Sequence, residues 1–239
     1  MRVYVVWGVV SAILLCNPHR AVAGGASSPV GTWQTSIKGA DSGVAYLTFS
    51  NNLTFVGYGY SRRSFGMFGL SGTWGNNSAG QVVAGFTQDF IDGSEAGSFN
   101  AKVSGNSKKL TALAKGSVGK LRLLGAPGDS PIDDLSGDWT SQVTIEGRRH
   151  MENYTIVTST NWPGVFDLTG SGIDDSGSFT ISGALIVNSR NQAAGFTAND
   201  YGTSVVTNSV SGNVLKKGKR LVLQGHQSTG KDVSIQAEK

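Results

Sequence analysis

Side chains able to move protons, hold metals or meet a ligand's charge are few in this sequence, and their spacing is more informative than their number. His150 and His226 each stand beside a turn signal, with no second His or Cys at the spacing of a metal site. This predicts turn histidines at the surface rather than ligands. Acidic residues recur at Asp41, at Asp92-Gly93-Ser94-Glu95, at Asp133-Asp134 with Asp138, and at Asp174-Asp175. Calcium uses such oxygens, yet none of these runs keeps the spacing of a calcium loop, and Asp beside Gly is what tight hairpin turns require. Serine is plentiful, but no Gly-x-Ser-x-Gly elbow occurs in a strand-to-helix setting. On these grounds no residue is assigned a catalytic or metal-binding role, and no cofactor is implied.

The remaining signals concern binding. Lys108-Lys109 and Lys216-Lys217, the latter followed by Lys219-Arg220, fall in roughly equivalent hairpins. Lysines there either protect sheet edges or form a positive rim for an anionic surface. Aromatic residues are uneven: 12 Phe, Trp and Tyr lie between residues 29 and 127, against 7 between 132 and 239. Phe55, Val56, Tyr58 and Tyr60 put bulk on both faces of one segment, and only one face can fill an interior. Gly57, Gly59, Gly66, Gly69 and Gly72 leave room beside Tyr58, Tyr60, Phe68 and Trp74, with Arg62 and Arg63 in the intervening turn to meet an anionic group. These six (Tyr58, Tyr60, Arg62, Arg63, Phe68 and Trp74) are the expected ligand contacts. The rival account uses the same residues for core packing and for contact between repeats.

Residues 1–23 read as a secretory signal. Arg2 opens it, an apolar run from Val3 to Cys16 follows, and Ala21-Val22-Ala23 fits the small-x-small cleavage rule. The apolar run of about 14 residues is short of the roughly 20 that span a bilayer. Leu15 precedes Cys16 where a lipoprotein signal carries a small residue, so lipidation is not expected. Cleavage after Ala23 would leave 216 residues without cysteine and, by loss of Arg2 and Arg20, 18 basic against 16 acidic residues. A chain free of disulfides fits a bacterial periplasmic or secreted protein. It also excludes thiol catalysis and Cys-based zinc sites, and so small a charge excess argues against a nucleic-acid partner.

The elements that position these residues come from a duplication. Gly31-Thr32-Trp33 recurs as Gly137-Asp138-Trp139, Leu70-Ser71-Gly72 as Ile181-Ser182-Gly183, and Ala84-Gly85-Phe86-Thr87 as Ala194-Gly195-Phe196-Thr197. Val103-Ser104-Gly105, Leu110 and Gly119-Lys120 recur in order as Val210-Ser211-Gly212, Leu221 and Gly230-Lys231. The expected organisation is one repeat over residues 29–127, a linker at 128–131 and a second repeat over 132–239. Within each repeat the period is two: Trp139, Ser141, Val143 and Ile145 share one face, as do Phe99, Ala101 and Val103. Turn clusters punctuate these runs, no helical stripe follows residue 23, and 34 glycines, about twice the usual share of roughly 7%, suit strands and turns. About eight short strands per repeat predict an all-β protein of two tandem antiparallel eight-stranded meander barrels. Two β-sandwiches are the alternative, and a single 16-stranded outer-membrane barrel is a third arrangement that lacks terminal and girdle aromatics. Trp33 and Trp139, at equivalent starts, are expected to plug a barrel end.

The Gly-x-Trp opening at Trp33 and Trp139, with Gly85-Phe86-Thr87 and Gly195-Phe196-Thr197-Ala198-Asn199, resembles strands of the calycin barrels, the lipocalins and avidins. The resemblance covers some ten residues per repeat and implies an up-and-down barrel with an apolar ligand cavity. Gln34-Thr35-Ser36 and Thr140-Ser141-Gln142 depart from the Asn and Ser of the avidin biotin site, so biotin is not implied. The expectation is an exported, non-enzymatic, periplasmic or extracellular protein. It would bind a small apolar or glycan ligand or a protein partner at the bacterial envelope, without being an integral membrane protein. The alternative is a structural or surface-interaction protein with solidly packed barrels.

Overall fold

The computed structural model describes residues 28–90, 93–116, 119–160 and 162–239, so the expected signal at 1–23 lies outside the described residues. The fold is all-β. The first barrel runs β1 (Gly31–Gly39), β2 (Gly43–Phe49), β3 (Thr54–Ser61), β4 (Gly66–Asn76), β5 (Val82–Phe90), β6 (Gly93–Val103), β7 (Leu110–Gly116) and β8 (Gly119–Pro127). The second runs β9 (Gly137–Ile145), β10 (Arg148–Thr158), β11 (Val165–Asp174), β12 (Gly177–Val187), β13 (Gln192–Asp200), β14 (Val205–Leu215), β15 (Arg220–Gln227) and β16 (Asp232–Glu238). Each strand pairs antiparallel with its neighbours in sequence, and β8 closes on β1 as β16 closes on β9. Two closed barrels of eight strands replace the sandwich and the 16-stranded arrangement. Closure removes the free edges that an open meander of this length would have to protect.

Alternation decides what fills each barrel. In the first, Trp33, Phe49, Phe55, Trp74, Phe99 and Leu110 form the centre of one apolar core. In the second, Trp139, Ile156, Phe166, Phe179, Leu185 and Val210 do the same. The paired tryptophans are buried in identical fashion: Trp33 Nε1–H donates to the Pro29 carbonyl at 2.6 Å and Trp139 Nε1–H to the Leu135 carbonyl at 2.7 Å. Each indole thus fills a barrel end while satisfying its one donor four residues back.

Register gives the equivalences between the barrels. Gly59 pairs with Ala45 and Phe68, and Gly172 with Glu152 and Phe179, so these three-strand sets correspond. Both glycines are needed for close approach. A Cβ on Gly59 would lie 2.4 Å from the Phe68 ring, and one on Gly172 would lie 2.5 Å from the Phe179 ring. By the same register Ala84-Gly85-Phe86-Thr87 and Ala194-Gly195-Phe196-Thr197 differ by one position. Ala84 packs inside the first barrel with Phe86 against that core, whereas Ala194 and Phe196 face outward. Val103 pairs with Leu110 as Val214 pairs with Leu221, so Val103 corresponds to Val214 rather than to Val210. A shift of one residue along a strand exchanges its faces.

The outward side chains of β2 and β3 meet β12 and β13 in a seam between the barrels. Val44, Tyr46, Tyr60, Val165, Ile186 and Ala194 are buried there. Tyr46 Oη–H donates to the Val187 carbonyl and Tyr60 Oη–H to Ser209 Oγ, each at 2.7 Å. A second polar patch joins Gln34, Ser36, Asn188 and Gln192 across the same boundary.

Candidate functional site

The six residues singled out from the sequence do not meet in one cavity. Tyr58 stacks on Tyr46 with centroids 5.3 Å apart, lies 4.7 Å from the Trp162 ring, and donates its hydroxyl to the Pro163 carbonyl. Tyr60 is in the seam, and Arg62 places its guanidinium 3.1 Å from His226 Nε2 on the second barrel. Arg63, in the β3–β4 turn, donates its backbone N–H to Asp41 Oδ1 of the β1–β2 turn. Phe68 and Trp74 point into the first barrel, Phe68 edge-on to Phe90 and Trp74 donating to the Ser50 carbonyl at 3.2 Å. Three of the six therefore fasten the barrels together, one stands in a turn and two fill an interior.

The open end of the first barrel holds an apolar pit of about 40 Å³, lined by Phe68, Phe86, Phe90, Leu70 and Leu121, with the polar Asp41, Gln88 and Glu95 also in its wall. That volume suits a few water-sized groups, far below the roughly 300–1,000 Å³ of ordinary ligand sites.

At the corresponding end of the second barrel the geometry differs. The turns at 146–149, 174–176, 201–204 and 227–231 surround a mouth of about 700 Å³. The two-residue turn Glu146-Gly147, with φ of 49° and 83°, has the positive angles of a type I′ hairpin. It fixes the register of β10, and alternation then sends His150, Glu152, Tyr154 and Ile156 inward. His150 is thus not a surface turn residue. Its side chain is only 9% exposed, it packs edge-on against Phe179, and Nε2 lies 2.9 Å from Glu152 Oε1. His226 keeps more exposure, its Nδ1 2.6 Å from Asp232 Oδ1.

Glu152 is 1% exposed and lies beneath this mouth. Its carboxylate accepts from His150 and from the Tyr154 hydroxyl, with Asn199 Nδ2 at 3.5 Å. Accepting carboxylate Glu152 holds the His150 imidazole above its ordinary range, against the effect of burial, and Asp174 and Asp175 add to the rise. Tyr201 donates to Asp174 Oδ2 at 2.7 Å and stands 4.9 Å from the Phe179 ring. Burial, followed by the adjacent Asp174 carboxylate, pushes the Tyr201 phenol well up. Asn199 Oδ1 and Asn208 Oδ1 are buried without a hydrogen-bond partner. Among the described residues no group of three or more His, Cys, Asp or Glu side chains is arranged to hold a metal ion.

The sister barrel makes the contrast specific. By register Ala45 stands where the second barrel has Glu152, Leu47 where it has Tyr154, and Gln88 where it has Asn199. Phe68 against Phe90 corresponds to Phe179 against Tyr201. The polar cluster was missed in sequence because it is assembled across three strands. Its one local signal is the alternation of His150, Glu152, Tyr154 and Ile156 against Arg149, Met151, Asn153 and Thr155.

No family model matches the chain, and no curated protein does. Among solved structures, a redesigned β-barrel is 15% identical with a TM-score of 0.39, covering 44% of this chain and 90% of its own. A "putative outer membrane protein" from Bacteroides fragilis is 13% identical with a TM-score of 0.30, over 88% of this chain and 97% of its own. A protein of unknown function from the DUF3598 family of Nostoc punctiforme is 13% identical with a TM-score of 0.26, over 88% and 96%.

Proposed function

We propose that this chain is an exported binding protein of the bacterial envelope. Its second barrel receives a small polar ligand at the open end, and its first barrel is the fixed base. The observation that carries this reading is Glu152, a carboxylate buried under a mouth of about 700 Å³ at a position where the sister barrel has alanine. A buried carboxylate costs several kcal/mol in desolvation, and Ala45 demonstrates that the same three-strand set packs without one. The Gly-x-Trp resemblance to lipocalins and avidins agrees with a barrel that holds its ligand at one open end. Export rests on the signal-like residues 1–23 and on the absence of cysteine thereafter. Tyr58, Tyr60 and Arg62 belong to the seam in this reading, and a contribution of the first barrel to ligand contact would fall to Phe68 at its pit.

Two-dimensional amide NMR of the full chain, titrated with neutral and amino monosaccharides and short aliphatic amines, tests it. Saturable shifts should cluster in the turns 146–149, 174–176, 201–204 and 227–231. Shifts confined to the first barrel, or no saturable response to any of these compounds, would refute the assignment.

A further inference from the structure

We propose that the tryptophan ends of the two barrels form one face that docks on an anionic phospholipid surface, with the open ends turned away from it.

The seam sets both barrels in the same direction. Gln34, next to Trp33, accepts from the Ser189 backbone N–H in the β12–β13 turn, and Tyr58 donates to the Pro163 carbonyl in the β10–β11 turn. Arg62 meets His226 toward the open ends. The turns at the ends filled by Trp33 and Trp139 therefore share one side of the molecule.

Charge distinguishes that side. Its six strand-connecting turns, at 50–53, 77–81, 104–109, 159–164, 188–191 and 216–219, carry Lys108, Lys109, Arg190, Lys216, Lys217 and Lys219 and no Asp or Glu. The six described turns at the open ends carry three basic residues, Arg62, Arg63 and Lys231, against three acidic ones, Asp41, Glu146 and Asp175. The linker brings Asp129, Asp133 and Asp134 to the tryptophan side, where Lys239 stands near Asp134, and Glu238 pairs with Lys216 at 3.5 Å. Lys108, Lys109, Lys217 and Lys219 are exposed and form no ion pair among the described residues. Lysines so placed are attracted to the phosphates of an anionic bilayer.

Backbone conformation is an independent observation. Leu53, in the β2–β3 turn, is 50% exposed at φ 64°, and the exposed Lys216 and Lys217 hold φ 53° and 55°. Such left-handed turn positions ordinarily belong to Gly, Asn or Asp. Leu53 is half exposed, so packing offsets little of its strain. A bilayer interface uses both kinds of side chain: its phosphates meet the lysines, and the boundary beneath takes Leu53 and the Trp162 ring, which is 42% exposed in the β10–β11 turn. An acidic polymer would use the lysines alone.

Vesicle co-sedimentation tests the docking. Residues 24–239 hold every described strand and lack the apolar run from Val3 to Cys16, which would itself enter lipid. This chain should bind vesicles containing phosphatidylglycerol about tenfold or more tightly than vesicles of phosphatidylcholine alone. Its fluorescence should move to shorter wavelength on binding, a shift that reports Trp162 because Trp33, Trp74 and Trp139 are buried. Leu53→Asn, and Lys216→Asn with Lys217→Asn, install a residue suited to positive φ. Both variants should keep or raise the melting temperature while weakening vesicle binding about threefold or more. Lys108→Gln with Lys109→Gln should weaken it likewise. Phe65→Asn makes the same change at φ 52° in an open-end turn, where Phe65 is 37% exposed, and should leave binding unaltered. Equal binding to both vesicles, binding to neither, affinity retained in both lysine variants, or as large a loss in Phe65→Asn as in Leu53→Asn would overturn the proposal. Binding to an acidic polysaccharide without binding to vesicles would overturn it as well and assign the face to a polymer.

Discussion

Glu152 and Ala45 occupy equivalent positions in the two barrels, and that single difference reorganises the chemistry around it. Once the carboxylate is inside, His150 and Tyr154 supply its donors and Asn199 turns toward it. A consequence is a linkage between pH and stability. Facing His150 are Glu152 on its own strand, Asp174 and Asp175 from β11 and its turn, and Tyr201 across the mouth, with Arg148 and Arg149 beside it in sequence. Because the folded state raises the proton affinity of His150, its contribution is fully present below the unfolded value of about 6.5. It is lost as pH rises through the higher folded value. The melting temperature should therefore decline with increasing pH across that window, and Glu152→Gln should flatten the decline. A rise over the same window in the unmodified chain would contradict the pairing. At the opposite end, Trp33→Ala or Trp139→Ala should each cost about 3–5 kcal/mol in denaturant unfolding. A loss below about 1 kcal/mol at both would deny them the role of plugs.

Strands and turns determine which of these residues can meet. Period-two alternation made the barrels, their number and the burial of both tryptophans legible in the sequence. It also put bulk on both faces of β3, of which only one can be interior, and left the other to a ligand, a partner or contact between repeats. Tyr58 and Tyr60 belong to the seam, where side chains more than a hundred residues apart in sequence meet, while Val56 stays exposed. Short motifs matched without register do not carry facing: Phe86 and Phe196 align in sequence, yet one packs inward and the other stacks at 6.4 Å on Tyr60 outside. The sequence places His150 at a surface turn because the adjacent Gly147 resembles turn punctuation, while its meaning lies in Glu152 on its own strand and in Asp174 and Phe179 on other strands. The seam's hydrogen bonds give an element-scale test. Tyr46→Phe and Tyr60→Phe each remove one hydroxyl and should each cost about 0.5–1.5 kcal/mol or somewhat more, since an acceptor is left buried. If both changes together leave the unfolding midpoint unmoved, the seam does not contribute to stability.

For the whole molecule, closure of each sheet within its own repeat means that no strand of the second barrel needs a hydrogen-bonding neighbour from the first. A fragment from Asp133 to Lys239 should accordingly unfold in one cooperative thermal transition, though with Val165, Ile186 and Ala194 uncovered. Its failure to do so, where the full chain succeeds, would make the second barrel dependent on the first. Both barrels have apolar cores, and the second adds Glu152 with its hydrogen-bond partners at a place where the first has Ala45. Grafting the first barrel's residues into the second measures this difference most directly. In the full chain Glu152→Ala with Tyr154→Leu reproduces Ala45 and Leu47. Followed by amide NMR during the same titrations and by denaturant unfolding at a pH where His150, left without its carboxylate, is neutral, the double variant should keep a folded second barrel and lose the saturable shifts at the mouth. Retained binding in a folded double variant, or collapse of the second barrel without its polar floor, would contradict the account.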